Sequence, residues 1–210
     1  MIRTFWRLAV LSTVLAMVSL VPASSTQAYA EPAIVPQSWD LTFTHNTPRP
    51  IAVRDAAGDI KWYWYMTYKV VNNTNEDRLF VPEVEIATDE GDLIRSGQNV
   101  PTAVFFAIKE KERNTLLESP NQVVGRLLQG NDHARESVIV WPAFKHNINQ
   151  LIIFVAGLSG ETSSVANPLT NEPVTVRKSL MIEFKTPGDN VRYTPDKHTI
   201  IPVDQQWIMR

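Results

Sequence analysis

A long alternation of side-chain character at residues 61–71 limits the fold more than any other feature of this sequence. Alternate positions give one largely apolar face, made of Trp62, Trp64, Met66, Tyr68 and Val70. The opposite face carries Lys61, Tyr63, Tyr65, Thr67 and Lys69. A period of two is the spacing of a β-strand, in which successive side chains point to opposite faces. The pattern therefore predicts a strand whose tryptophan face is buried.

Shorter segments of the same kind follow one another along the chain, separated by residues typical of turns. They lie at 39–44, 51–53, 80–86, 137–141, 151–156, 180–184 and 199–203. Segments 61–71 and 80–86 are expected to form a hairpin through the Asn-rich turn at 72–77. The unbroken apolar run at 151–156 is typical of a strand buried on both faces, whereas the polar segment 161–173 is expected to be a long loop.

Residues 102–118 do not follow this alternating pattern. Val104, Phe105 and Ile108 have helical spacing, Thr102 is a candidate N-cap, and Pro120 would stop a helix. Residues 100–108 are equally compatible with a strand, and 123–128 are expected to form a second helical turn. With about eight short strands, the chain is predicted to be mainly all-β, an antiparallel β-sandwich with one short helical insertion around 102–118.

The segment from Tyr68 to Thr74 reads YKVVNNT. It resembles the strand ending Y-x-V-x-N-x-T of immunoglobulin-like modules from bacterial exported proteins. The run at 63–65 and the Trp-Ile-Met-Arg terminus are similar to uncharacterised exported bacterial proteins. The resemblance implies an immunoglobulin-like sandwich and an exported location, and it brings no catalytic residues with it.

Residues 1–30 have the three-part layout of a secretory signal peptide. Arg3 and Arg7 precede an apolar run at 8–21, and Ala28-Tyr29-Ala30 is a small-x-small cleavage site. The apolar run is shorter than the roughly 18 to 20 residues that a membrane-spanning helix needs. We therefore expect a cleaved signal, a mature chain that begins at Glu31, and no permanent membrane span.

Composition narrows the class of protein further. Residues 31–210 suit a single domain, and the chain has no cysteine, which excludes disulfides, thiolate metal sites and a lipid anchor. The whole chain has a net charge of −2, and removal of residues 1–30, with two arginines and no acidic residue, leaves −4. This mild acidity argues against a nucleic-acid partner.

No motif in the sequence predicts an active site, a metal site or a cofactor. The four histidines at 45, 133, 146 and 198 are too far apart for a short metal motif, although His133 with Asp132 or His146 is the best candidate group. Residues 157–161 read GLSGE and depart from the nucleophile elbow, so a strand-to-loop turn is expected there. Asp89, Glu90 and Asp92 are expected to form a hairpin turn rather than a calcium loop.

Tyr63 and Tyr65 are the candidate binding residues, because they face away from the predicted core. Either the helix at 102–118 covers them, or they form an open stacking surface for a glycan or a partner chain. The sequence thus predicts an exported, non-enzymatic domain for binding or assembly in the periplasm or at the cell surface, with a protein or an envelope polymer as partner. The alternative is an envelope hydrolase with dispersed carboxylate and histidine residues.

Overall fold

The structure, a computed structural model, describes residues 30–35, 37–144, 148–186 and 200–210. The predicted signal segment lies outside the described residues except for Ala30, so the predicted cleavage before Glu31 stays a prediction. In the part of the chain that the structure describes, no helix is long and apolar enough to cross a membrane.

Most described residues belong to antiparallel β-sheets, which confirms the prediction of a mainly all-β chain. The first sheet contains β1 (Thr42–His45), β2 (Arg49–Arg54), β3 (Ile60–Val71) and β8 (Arg135–Pro142). The second contains β5 (Glu83–Thr88), β6 (Leu93–Arg95), β9 (Gln150–Ala156), β10 (Thr162–Ala166), β11 (Pro173–Lys185) and β12 (Ile201–Met209). The remaining elements are β4 (Arg78–Phe80), β7 (Gly125–Leu127), the helix α1 (Thr102–Glu112) and a 3-10 turn at Asn131–His133.

The predicted strand at 61–71 is the centre of the first sheet. Its first half pairs with β2 and its last four residues pair with β1, while β8 pairs along residues 63–70. Because β8 spans both halves, it occupies the edge opposite β1 and β2. Both edges of β3 are therefore used, and the predicted hairpin between 61–71 and 80–86 is wrong: β5 pairs with β9 and β6 in the second sheet.

β11 organises the second sheet in the same way. It pairs with β9 over residues 180–185 and with β12 over residues 178–185. The backbone of Arg177 bonds to Arg210 at the β12 edge, whereas the next amide, Lys178 N, donates to Glu161 O beyond the opposite edge. Since successive amides in a strand point to opposite edges, β10 and β12 flank β11 from different sides.

The largest apolar core takes side chains from both sheets. β3 contributes Trp64 and Met66, β8 contributes Trp141, and β9 and β11 contribute Ile153 and Ile182. All five are almost completely buried. The alternation predicted for residues 61–71 thus places its tryptophan face in this core from Trp64 onward. β9 is buried on this face and only half-buried on the other, so the prediction of burial on both faces is wrong.

The segment at 102–118 contains a helix rather than a strand, and the helix is shorter than predicted. It ends at Glu112, because Arg113 takes a left-handed conformation with φ 51° and donates its N–H to Glu110 O. Pro101 occupies the N-cap position without a side-chain cap, so the predicted capping by Thr102 is wrong. The spacing of the buried side chains is as predicted: Val104, Phe105 and Ile108 pack towards the first sheet.

Two other segments differ from their predicted structure. Residues 123–128 contain the strand β7, which pairs with β4, rather than a helical turn. Residues 161–173 include the strand β10, so they are not one continuous loop. The Asn-rich turn after β3 is as predicted: Asn72 accepts from Thr74 N and Oγ1 through Oδ1, and its Nδ2 donates to Leu127 O at 2.8 Å.

Candidate functional site

Tyr63 and Tyr65, the predicted binding residues, lie beneath α1. They belong to a second apolar cluster with Val104, Phe105 and Ile108 of the helix. Only 7% of Tyr63 and 0% of Tyr65 is exposed to solvent. Of the two alternatives, the structure therefore shows the covered one, and the open stacking face is absent. A ligand would reach either ring only after α1 moved away from β3, so a binding role for these tyrosines stays a prediction.

The hydroxyl group of Tyr65 is fixed by the end of α1. It donates to Glu112 Oε1 at 2.5 Å, and Glu112 also pairs with Arg49 of β2 at 3.0 Å. Burial and the hydrogen bond to Glu112 raise the pKa of Tyr65 well above its ordinary value, against the smaller effect of the Arg49 charge. Burial likewise raises the pKa of Tyr68, on the opposite face, to about 12. These two phenols are therefore structural groups that are neutral when folded.

We expect the protein to lose stability as the pH rises above 10. An unfolded tyrosine loses its proton near pH 10, whereas folded Tyr68 keeps it until about pH 12. Because the folded state binds this proton more tightly, the contribution is fully present below pH 10 and falls by about 3 kcal/mol as the pH approaches 12. Urea unfolding on either side of pH 10 measures the decline. Tyr68→Phe should make it shallower, and an equally steep decline in that variant would contradict the assignment.

Among the described residues, the candidate metal-ligating and catalytic side chains do not converge. Asp132 and His133 lie in the 3-10 turn, whereas Asp89 accepts from Asn149 at the end of β5. His146 and His198 lie outside the described residues. Among the residues that are described, no three His, Cys, Asp or Glu side chains form a group that could hold a metal ion. Ser159 accepts the backbone N–H of Glu161, as expected for a turn rather than a nucleophile.

One hairpin of the second sheet is exposed or half-buried along its whole length. β10 and the first five residues of β11 pair with each other, and we call residues 162–177 the arm. No residue of the arm is buried. Val165 and Val174 are opposite one another on one face, while Ser164 and Thr175 form a polar pair on the other. The arm therefore offers backbone edges and both side-chain faces to solvent.

A cleft of about 470 Å³ lies where the arm joins the sheet, on the face turned away from the core. We call it the arginine cleft. Its wall residues come from β5, β9, β11 and the residue after β12: Glu83, Glu85, Phe154, Ala156, Thr175, Arg177, Ser179 and Arg210. Phe154 faces outward because its neighbours Ile153 and Val155 face the core. The cleft is thus the uncovered outer face of the second sheet.

The two arginines of the cleft are held differently. Arg210 lies over the Phe154 ring, 4.1 Å from its centroid, and its Nη1 pairs with Glu85 Oε2 at 2.8 Å. Arg177 makes backbone hydrogen bonds to Arg210, but its guanidinium forms no ion pair with any described residue. A guanidinium presents five N–H donors in a planar fork that suits carboxylate and phosphate groups. The Arg177 guanidinium is therefore exposed in the cleft without an acidic partner among the described residues.

On the core side of the same strand, a charged residue is buried. Lys178 Nζ lies 2.8 Å from Asp40 Oδ2 and 3.3 Å from Glu161 Oε2, and it sits 4.9 Å from the centre of the Trp207 ring. We call Lys178, Asp40 and Glu161 the Lys178 cluster. Burial lowers the pKa of Lys178, but its hydrogen bonds to the two carboxylates outweigh burial, so the pKa is raised overall. The Lys178 amine is therefore protonated and lies between two carboxylates.

Sequence reasoning missed both the arginine cleft and the Lys178 cluster. One signal for the cluster was present in the sequence. Lys178 alternates in phase with Leu180 and Ile182, so its side chain is expected to point into the core with theirs. No local motif shows its partners, because Asp40 is 138 positions away in the sequence. No protein-family model, no curated protein and no solved structure matches the chain.

Proposed function

We propose that this chain is an exported, non-catalytic domain with an immunoglobulin-like β-sandwich fold, and that it binds a protein partner or an envelope polymer in the periplasm or at the cell surface. The arm, with the arginine cleft at its base, is the observation that carries the proposal. A hairpin that buries none of its residues against its own chain is suited to pairing with another molecule.

The chemistry of this surface favours a partner with an anionic group beside an extended polar segment. Arg177 supplies a guanidinium without an acidic partner among the described residues, and Thr175 and Ser179 line the same cleft. The arm strands offer backbone donors and acceptors next to these side chains. Export is supported by the signal-like residues 1–30, and the sandwich by two antiparallel sheets whose side chains share one core.

The alternative of an envelope hydrolase has weaker support in the described residues. A hydrolase of this kind would need two or more of its candidate side chains in one cleft. Glu161 instead pairs with Lys178, while Asp132 and His133 share a surface turn and Asp89 bonds to Asn149. The arginine cleft contains none of them.

We expect substitutions in the arm to abolish binding without affecting folding. Arg177→Glu reverses the charge in the cleft, and Val174→Asp places a charge on the arm, where it is solvated and costs little stability. The measurement is photo-crosslinking of the purified mature chain to its own envelope fraction from a probe at residue 169, which is exposed at the tip of the arm and is unchanged in the variants. The double variant is expected to lose most of the cross-linked product, roughly tenfold, as two lost contacts of moderate strength would produce.

The matched control is Arg54→Glu on β2, whose guanidinium bonds to Gly58 O at an exposed turn of the first sheet. It should cross-link as the unsubstituted protein does, and circular dichroism should show that all variants are folded. Equal cross-linking by the arm variant and the control would show that the arm is not the binding surface. Turnover of an envelope polymer by the purified chain would overturn the non-catalytic assignment.

A further inference from the structure

The arginine cleft carries charges of both signs on its wall. Arg177 and Arg210 are cationic, and Glu83 and Glu85 of β5 are anionic. We propose that the cleft binds a short peptide group that carries both a free ammonium and a free carboxylate, about two residues apart. This inference rests on the proposed function, because it names the chemical group that the partner places in the cleft.

Arg210 and Glu85 neutralise each other within the cleft. Arg210 Nη1 lies 2.8 Å from Glu85 Oε2, and the guanidinium stacks on the Phe154 ring. The two side chains are only 36% and 28% exposed, so this ion pair is partly shielded from solvent. A ligand would have to break the pair to use either charge. The charges that are open to a ligand are therefore those of Arg177 and Glu83.

Glu83 is the anionic end of the proposed site. Its Oε2 lies 3.5 Å from Nη2 of Arg95, and both side chains are more than half exposed. An ion pair between exposed side chains contributes little to stability, so exchange of Arg95 for another cation costs little. An ammonium group has three N–H donors that can replace the single contact with Arg95. Glu83 is therefore suited to bind the ammonium of a ligand.

Arg177 is the cationic end, and a hydroxyl group lies on each side of it. Thr175, Arg177 and Ser179 are alternate residues of β11, so their side chains share the face that lines the cleft. Ser179 is almost completely buried, and its Oγ donates to the Arg177 carbonyl oxygen at 3.2 Å. The guanidinium and the Thr175 hydroxyl group can together donate to both oxygens of a carboxylate. Arg177 is therefore suited to bind the acidic end of the same ligand.

The strand pairing sets the distance between the two ends. Glu83 pairs with Ala156 of β9, and the residue before Ala156 pairs with Leu180 of β11. β5 and β11 are therefore two strand spacings apart, roughly 10 Å. The small side chain of Ala156 lies between them and leaves space for a ligand. An extended dipeptide spans roughly 7 Å, and the side chains of Glu83 and Arg177 reach over the remaining distance.

Charges of opposite sign at the two ends select a ligand that carries both. A purely anionic ligand would gain a contact with Arg177 but would lie close to the carboxylates of Glu83 and Glu85. A purely cationic ligand would lie close to the two guanidinium groups. A ligand whose ammonium points to β5 and whose carboxylate points to β11 gains at both ends, so electrostatic complementarity favours it.

NMR titration of the purified mature chain with glycylglycine tests the proposal. The backbone signals of residues 83–85 and 175–179 are expected to shift until the site is saturated. N-acetyl-glycylglycine lacks the ammonium and glycylglycine amide lacks the carboxylate, so each should bind about tenfold more weakly. Glu83→Gln should weaken binding of glycylglycine but not of the acetylated dipeptide, and Arg177→Gln should weaken binding of glycylglycine but not of the amide. The matched controls Glu90→Gln and Arg54→Gln, outside the cleft, should bind glycylglycine as the unsubstituted protein does.

Comparison of the three dipeptides on the unsubstituted protein is decisive even where a variant folds poorly. Absence of saturable shifts, or equal affinity for all three, would overturn the site for a doubly charged ligand and leave the cross-linking result for the arm intact. Excess glycylglycine should also reduce cross-linking of the envelope partner from residue 169, whereas the acetylated dipeptide should not. Binding without such competition would overturn the claim that the partner places this group in the cleft. Equal cross-linking by the arm variant and its control, with glycylglycine still bound, would instead overturn the proposed partner surface alone.

Discussion

Replacement of Trp141 by alanine is expected to lower the free energy of unfolding by about 4 kcal/mol, since truncation of a buried tryptophan costs about 3 to 5 kcal/mol. Trp141 is completely buried in the core that the two sheets share, and it is opposite Trp64 in the pairing of β3 with β8. The lost volume lies between two sheets whose strands are held by hydrogen bonds, so the cavity cannot collapse freely.

Urea unfolding followed by circular dichroism measures the loss. Phe106→Ala is the control, because Phe106 is 62% exposed on α1 and its truncation should change stability by no more than about 0.5 kcal/mol. Trp141→Phe should cost less than half of the alanine change, since it keeps most of the apolar volume and removes an indole N–H that has no hydrogen-bond partner among the described residues. Equal effects of Trp141→Ala and Phe106→Ala would contradict the shared core.

The elements that the sequence predicted correctly are those that bury one face against a large apolar partner. The alternation at 61–71 survives in β3 because one face meets the shared core and the other meets α1. The helix could be predicted for the same reason, since Val104, Phe105 and Ile108 all pack against one surface. Periodicity reports which side chains pack against the same surface, and it is clear where each face of an element meets a single apolar partner.

The arm could not be predicted by this reasoning, because it buries nothing. β10 has the sequence TSSVA and pairs only with β11 among the described strands, so no apolar alternation was required of it. Polar residues and nearby prolines then gave the pattern of a loop. β4 and β7 were missed similarly, since each has three residues and is too short for a period to show.

Pairing between strands was less predictable than the strands themselves. Consecutive strands are neighbours often enough to make a hairpin the natural expectation. Here β4 intervenes between β3 and β5, and it pairs with β7 instead of either neighbour. The Lys178 cluster depends on the same long-range pairing, because β10, β11 and the segment at Asp40 must meet before its three side chains come together.

Gly157 lies in the turn that leads from β9 towards Glu161. Gly157→Ala is expected to lower the free energy of unfolding by about 3 kcal/mol. Gly157 has φ +85°, and a Cβ at this position would lie 2.4 Å from Val81 O and 3.1 Å from Val81 C. A left-handed conformation alone costs an alanine roughly 1 kcal/mol, and displacement of a packed backbone adds roughly 1 to 3 kcal/mol. Since Val81 lies two residues before Glu83, where the pairing of β5 with β9 begins, the carbonyl cannot move without disturbing that pairing.

Gly91→Ala separates the two contributions, because Gly91 has φ +87° and no atom lies within 4 Å of its Cβ position. It should lose only the conformational part, about 1 kcal/mol. The difference of about 2 kcal/mol between the two variants, measured by urea unfolding, isolates the close approach to Val81. The same turn leads through Leu158 to Glu161, so Gly157→Ala should also weaken the contact of Glu161 with Lys178. Equal stability of Gly157→Ala and Gly91→Ala would contradict the close approach of Gly157 to Val81. The path of the chain from β9 to Glu161, which places Glu161 beside Lys178, would then also be wrong.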